Sequence, residues 1–315
     1  MKTTWLDEAD QEQEAQKALL KAFSGTLHHF FGGWRELFKG VRDSRNPELI
    51  RYALEGLLST GVLMYLFQLG ARRQINYQLR GNAPSQAKFE AWFEVDEMPH
   101  GDTLNYAFRR VVPAEVQEVV CCMVATLICK KVLYRWRLYG NFLLVIDGTR
   151  VLTFQARDCR YCLTQKLHNG EKLYYHPVLE AKLVTANGFA FSLMTEFIEN
   201  TDPQADKQDC KLKAFYRLSR RVKARFPQLP ICLLLDGLFA GGPTFQLCQD
   251  YDWRSMITLQ DADLPQVHRT YELVVRSQTP QDHKQIRLGR SSRSHRSIIG
   301  SGRSIIAIAR IATTR

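Results

Sequence analysis

Two unbroken apolar runs, Phe142-Leu143-Leu144-Val145-Ile146 and Pro230-Ile231-Cys232-Leu233-Leu234-Leu235, each end in an aspartate and a glycine, Asp147-Gly148 and Asp236-Gly237. A short continuous apolar run suits a strand buried on both faces, in a sheet covered by helices. Such strands deliver the residue that follows them to the edge of the sheet. If the two strands are neighbours, their carboxylates make a site for hard divalent cations, because magnesium binds oxygen ligands and sits between protein carboxylates and phosphate. The pair then points to phosphodiester chemistry with two metal ions. The competing reading is local: Asp-Gly is a favoured turn pair, and both runs can simply end in turns.

With 315 residues and 45% hydrophobic content the chain can bury one large core or two ordinary ones. Its eight cysteines, Cys121, Cys122, Cys129, Cys159, Cys162, Cys210, Cys232 and Cys248, lack the density of a disulfide scaffold and read as reduced thiols. The first residues carry Asp7, Glu8, Asp10, Glu12 and Glu14, so they do not read as a signal peptide. The most apolar helix candidate, Tyr52 to Gly70, contains Glu55, Ser59, Thr60 and Gln68, too polar a set for hydrocarbon. A cytoplasmic, nucleoid-associated protein without a membrane partner is expected.

The net charge of +11 is unevenly spread: residues 276 to 315 hold nine Lys or Arg and one acid, so this tail supplies +8 and the rest only +3. Local clusters remain at Arg72-Arg73, Arg109-Arg110, Lys130-Lys131 with Arg135 and Arg137, and Arg217, Arg220, Arg221, Lys223, Arg225. Basic clusters form either solvated helix faces or phosphate contacts. The tail has no Phe, Trp or Tyr after Tyr271 and neither a helical nor an alternating apolar period. It reads as a disordered basic arm, or as out-of-frame translation of a once longer gene.

Along the chain, residues 1–139 read as a helical domain. Asn46-Pro47 and Gly70 bracket one helix, Gly81 to Ser85 reads as a loop, and Thr103 to Arg137 reads as helices broken at Val112-Pro113. Residues 140–275 switch to strands: Asn141 to Ile146, Val151 to Phe154, then Val178 to Val184 and Phe189 to Glu196 around Asn187-Gly188, a hairpin signal. A basic helix over 205–226, the strand ending at Asp236, a short helix after Gly241-Gly242-Pro243 and a strand over Arg254 to Leu259 complete an α/β order with a mixed central sheet. In the ribonuclease-H-like fold, the first strand and the strand after the first helix are neighbours bearing acids, and this order fits it.

Several motifs in series carry a family resemblance: Met98-Pro99-His100-Gly101-Asp102, Asp147-Gly148-Thr149, Cys159-Arg160-Tyr161-Cys162, Tyr174-Tyr175-His176, Glu196-Phe197-Ile198-Glu199-Asn200, Lys207-Gln208-Asp209-Cys210 and Leu235-Asp236-Gly237. Together they resemble the DDE transposases of bacterial insertion sequences, in the IS4-like group, over roughly residues 35 to 275. The resemblance implies an incomplete ribonuclease-H-like catalytic domain. In it, Asp147 and Asp236 are the first two catalytic carboxylates and bind magnesium or manganese. It also implies a substrate, the double-stranded DNA of terminal inverted repeats, and a homodimeric assembly. The family's third acid is a glutamate on a downstream helix, and Glu272 is the one glutamate after Asp236. A truncated or frameshifted chain, inactive by itself, is the resulting expectation; a DNA-binding remnant without catalysis is the alternative.

A second constellation is Cys159 and Cys162 with His168 and His176. Two thiolates and imidazoles at these positions can hold zinc tetrahedrally, around a turn at Asn169-Gly170. Free thiols in an inserted hairpin are the competing reading. A zinc-stabilised structural protein is accordingly a third possibility for the chain. Trp34, Trp92 and Trp253 are expected to anchor cores.

Overall fold

The structure, a computed structural model, describes residues 3–81, 83–201, 207–259, 269, 285–286, 295–297 and 304–308. The chain forms two compact units, Met1–Lys131 and Val132–Arg315.

The first unit is helical: α1 (Thr3–Phe30), α2 (Trp34–Lys39), α3 (Leu54–Leu66), α4 (Arg72–Gln74), α5 (Ala83–Phe93), α6 (Gly101–Phe108) and α7 (Pro113–Cys129). The expected break falls at Val112-Pro113, where Val112 is extended and Pro113 opens α7. Proline suits that place because the first helical N–H has no partner inside the helix. Asn46-Pro47 starts only a short turn, not the long helix. The Asn46 side chain accepts from Glu48 N, the backbone is extended again at Ile50, and α3 begins at Leu54. The loop expected from Gly81 to Ser85 shrinks, since α5 already begins at Ala83. Trp34, Leu57, Ile75, Phe93, Met98 and Leu104 centre this unit's core, and Trp92 packs against it from a half-buried position. In α3, Ser59 and Thr60 are buried as well, and the Thr60 hydroxyl donates to Gly56 O at 2.7 Å. No single helix among the described residues is long and apolar enough to cross a membrane.

The second unit is an α/β structure built on a mixed sheet. Its elements are β1 (Phe142–Phe154), β2 (Leu163–Lys166), β3 (Lys172–Val184), β4 (Ala190–Phe197), α8 (Lys211–Arg225), β5 (Ile231–Asp236), α9 (Gly242–Asp250) and β6 (Arg254–Leu259). Three short strands follow, β7 (Gln285–Ile286), β8 (His295–Ser297) and β9 (Ser304–Ile308), of which β9 runs parallel beside β6. Strand β3 is antiparallel to β1 along one edge and to β2 and then β4 along the other. On the far side of β1, β5 and then β6 run parallel to it. The β3–β4 hairpin spans Thr185 to Phe189, with Gly188 alone at positive φ (89°). It is therefore wider than the two-residue turn that Asn187-Gly188 signals.

Helix α8 begins at Lys211, later than the sequence reading placed it, and lies against β3 and β4. Its buried residues Ala214, Phe215, Leu218 and Val222 recur at helical spacing, so one stripe faces the sheet. Leu144, Ile146, Leu179, Ala181, Leu233 and Leu235 are buried in the strands. Phe215 stacks on Phe239 with ring centroids 5.0 Å apart, and Trp253 is 1% exposed.

Candidate functional site

The two aspartates reach their places in different ways. Strand β1 does not stop at Asp147-Gly148; it continues to Phe154, paired with β3 throughout, with a register shift between Arg150 and Leu152. The separate strand expected over Val151 to Phe154 is thus the far half of β1. Backbone partners from β3 satisfy the N–H and C=O groups across the Asp-Gly pair and outweigh its local turn preference. At Asp236 the turn reading holds: β5 ends there, the carboxylate accepts from Leu238 N at 3.0 Å, and a tight turn, Gly237–Phe239, follows.

Phe142 lies opposite Ile231, and the register continues to Val145 opposite Leu234. The pairing ends there, and the same offset carried two residues further sets Asp147 level with Asp236 on the two strands. Side chains alternate along a strand, so both aspartates belong to one face and both are exposed. Across the other edge of β1, Glu180 is the direct partner of Asp147, and its carboxylate pairs with Lys182 Nζ at 3.0 Å.

Lys211, the first residue of α8, reaches Asp147 with Nζ 3.4 Å from Oδ1. Gly148 makes room for that reach, because a Cβ there would lie 2.5 Å from Lys211 Cε. Both members of the ion pair are partly exposed, so it contributes below about 1 kcal/mol to stability. Its value is a fixed positive charge beside the first aspartate. The motif Lys207-Gln208-Asp209-Cys210 marked the right segment in the sequence, but nothing local pairs residue 211 with residue 147.

The root of α8 is held by ion pairs. Arg217 Nε donates to Glu196 Oε1 at 2.6 Å and Arg217 Nη2 to Asp209 Oδ2 at 2.6 Å, while Arg221 Nη1 donates to Glu196 Oε2 at 2.5 Å. Burial opposes ionisation of Asp209, yet hydrogen bonds from Arg217, Cys210 N and Glu199 N outweigh it and hold the carboxyl below the usual carboxylate range. Its hydrogen bonds to Asp209 raise the Arg217 guanidinium above its ordinary value. Part of the basic cluster on α8 is therefore internal: Arg217 and Arg221 turn to carboxylates, whereas Lys213 and Arg220 are exposed. In the first unit Arg72, Arg73, Arg109, Arg110, Lys130 and Lys131 are all exposed.

Replacing Arg217 with methionine leaves Asp209 without its charged partner and Glu196 with only one. Their side chains are 10% and 12% exposed. The expected cost is on the order of 2 to 3 kcal/mol, less than for a fully buried pair because Arg217 is itself partly solvated. A depressed carboxyl stabilises the fold above its unfolded pKa and loses that contribution as pH falls through the folded value. Acid unfolding of Arg217→Met, followed by circular dichroism, should accordingly begin at higher pH than in the wild type. An unchanged acid transition would reject the coupling.

A second group forms where β2 meets β3. Cys159 Sγ lies 3.7 Å from Cys162 Sγ and 3.4 Å from His176 Nε2, and Cys162 Sγ lies 3.2 Å from the same nitrogen. These three residues could hold a metal ion, with all ligand atoms within 4.8 Å of one another. His168 is not among them. It is exposed in the turn before Gly170, past the four paired rungs of β2 and β3 from Leu163–Tyr175 to Lys166–Lys172. At about 3.4 Å per rung the turn stands well over 10 Å from the cysteines. Glu272 lies outside the described residues. No protein-family model matches the chain, and no curated protein matches it.

Proposed function

We propose that the chain is a DDE-transposase-type protein in which Asp147 and Asp236 hold magnesium or manganese for cleavage and strand transfer at the double-stranded terminal repeats of an insertion sequence. The observation that carries this reading is the adjacency of β1 and β5, whose register, continued two residues past its last pair, brings an aspartate on each to the same level. A first strand flanked by the strand that follows the first helix, both acidic, is also the arrangement expected of a ribonuclease-H-like domain. Exposed, paired oxygen donors suit hard divalent ions, which when bound supply Lewis-acid activation of water or a DNA 3′ hydroxyl. Lys211 places a positive charge beside Asp147, with Nζ 3.4 Å from Oδ1. The exposed arginines and lysines of the helical unit provide phosphate contacts, and the assembly proposed is a homodimer. A structural zinc at Cys159, Cys162 and His176 accompanies this reading without carrying it.

Two acids make a weaker cation site than three, so cleavage by this chain alone is expected to be slow. The test is to incubate purified protein with terminal-repeat DNA and manganese, magnesium or chelator, and to follow binding by mobility shift across salt concentrations. Slow nicking with manganese and none with chelator is the expected result. Salt-dependent binding with no nicking under either metal would reduce the function to DNA binding. Neither binding nor nicking would overturn the nucleic-acid reading.

A further inference from the structure

We propose that Cys159, Cys162 and His176 bind zinc, and that this zinc fastens Asn200 after β4 and Asp209 before α8. The inference goes beyond the role assigned to the aspartates and does not depend on it. Its first support is geometric. In a tetrahedral zinc site with Zn–S near 2.3 Å and Zn–N near 2.05 Å, sulfurs stand about 3.8 Å apart and sulfur to nitrogen about 3.6 Å. The three observed separations are 3.7, 3.4 and 3.2 Å, close to the edges of such a tetrahedron. A disulfide is a different object, with its sulfurs about 2.05 Å apart. Two thiolates and an imidazole are the donor set of zinc rather than of magnesium or calcium.

The second support is how the fold assembles the donors. Cys159 and Cys162 sit on the bend that enters β2, and His176 is brought to them by the pairing of Leu163 with Tyr175. Phe154 on β1 meets the His176 ring edge to face at 6.1 Å, which fixes the imidazole plane. Cys162 is 0% exposed, so one ligand is already out of water before a cation arrives.

The consequence follows from the backbone of that bend. Tyr161 O accepts from Asn200 N at 3.2 Å and Cys162 O accepts from Asn200 Nδ2 at 3.3 Å. Asn200 Oδ1 in turn accepts from Asp209 N at 3.2 Å, and Asp209 is held by Arg217 of α8. A cation that fixes the bend therefore fixes Asn200, Asp209 and the start of α8, where Lys211 meets Asp147. In this assignment the three residues position that corner of the unit and touch no substrate.

The experiment is metal analysis of the full chain, purified without affinity metals, loaded with zinc and desalted. Wild-type protein should retain an equimolar amount of zinc, as should His168→Ala, while His176→Ala and Cys159→Ser should lose it. The cobalt-loaded wild type should show sulfur-to-cobalt charge transfer and the intense visible bands of a tetrahedral site. Because a ligand variant can misfold for other reasons, alkylation of wild-type Cys159 supplies an independent readout, slow with zinc and fast with chelator. Hydrogen exchange at residues 198–201 and 207–211 should accelerate when zinc is removed. Wild type without retained zinc, or zinc retained by His176→Ala but lost from His168→Ala, would overturn the site. Zinc bound with unchanged exchange at residues 198–201 and 207–211 would overturn its fastening role. None of these readouts measures DNA cleavage, so they are independent of the aspartate pair.

Discussion

Asparagine at Asp147 or at Asp236 is expected to abolish manganese binding and to lower any metal-dependent nicking roughly 10³-fold or more. Each aspartate supplies half of the carboxylates at the proposed cation site. Metal activation of an attacking oxygen is worth several kcal/mol, and each 1.4 kcal/mol is about tenfold in rate. The fold should tolerate both changes. At position 236 an amide oxygen still accepts from Leu238 N, so the turn after β5 keeps its bond. At position 147 the loss is a partly exposed ion pair to Lys211, below about 1 kcal/mol. Thermal unfolding should stay close to the wild type while manganese titration, read by electron paramagnetic resonance, goes flat. Because the two residues act as one site, the double variant should be no worse than either single one. Full manganese affinity in either variant would end the proposal.

The largest loss of stability is expected from Phe215→Ala, at about 3 to 5 kcal/mol. Phe215 is fully buried on α8 and stacks against Phe239, which belongs to the turn that follows Asp236. Truncation removes the ring's transfer energy and leaves a cavity between the helix and that turn, which the surrounding buried side chains cannot fill. The urea midpoint should fall while Lys213→Ala, an exposed change on the same helix, stays within about 0.5 kcal/mol. A Phe215→Ala midpoint near the wild-type value would mean that α8 is not seated on the sheet as described.

The sequence made legible what depends on local pattern. The runs before Asp147 and Asp236 are strands because five or six consecutive apolar residues bounded by turn residues suit a buried strand, being too short for a helix. Pro113 opens α7 because proline's missing N–H costs nothing there. What stayed hidden depends on partners distant in the chain. Strand β1 passes through Asp147-Gly148 only because β3 pairs with it, so a dipeptide with a strong turn preference is overruled. Strand β2 is four residues long and has no periodicity of its own. Of the two histidines near the cysteines, register selected His176 and left His168 at the hairpin tip. Lys211 is one of many lysines until the fold sets it beside Asp147 across a glycine. The basic stretch on α8 reads as surface, yet Arg217 and Arg221 serve half-buried carboxylates that lie elsewhere in the sequence.

Strand β5 stops at Asp236, whereas β1 runs seven residues past Asp147 with β3 alongside it. At about 3.3 Å per residue this leaves an overhang of roughly 23 Å beyond the carboxylates, formed by β1 and β3 and widened by β2 toward its end. The aspartates therefore stand at the foot of a ledge. The ledge rises on the β3 side of the pair, where β1 and β3 continue together past Asp147.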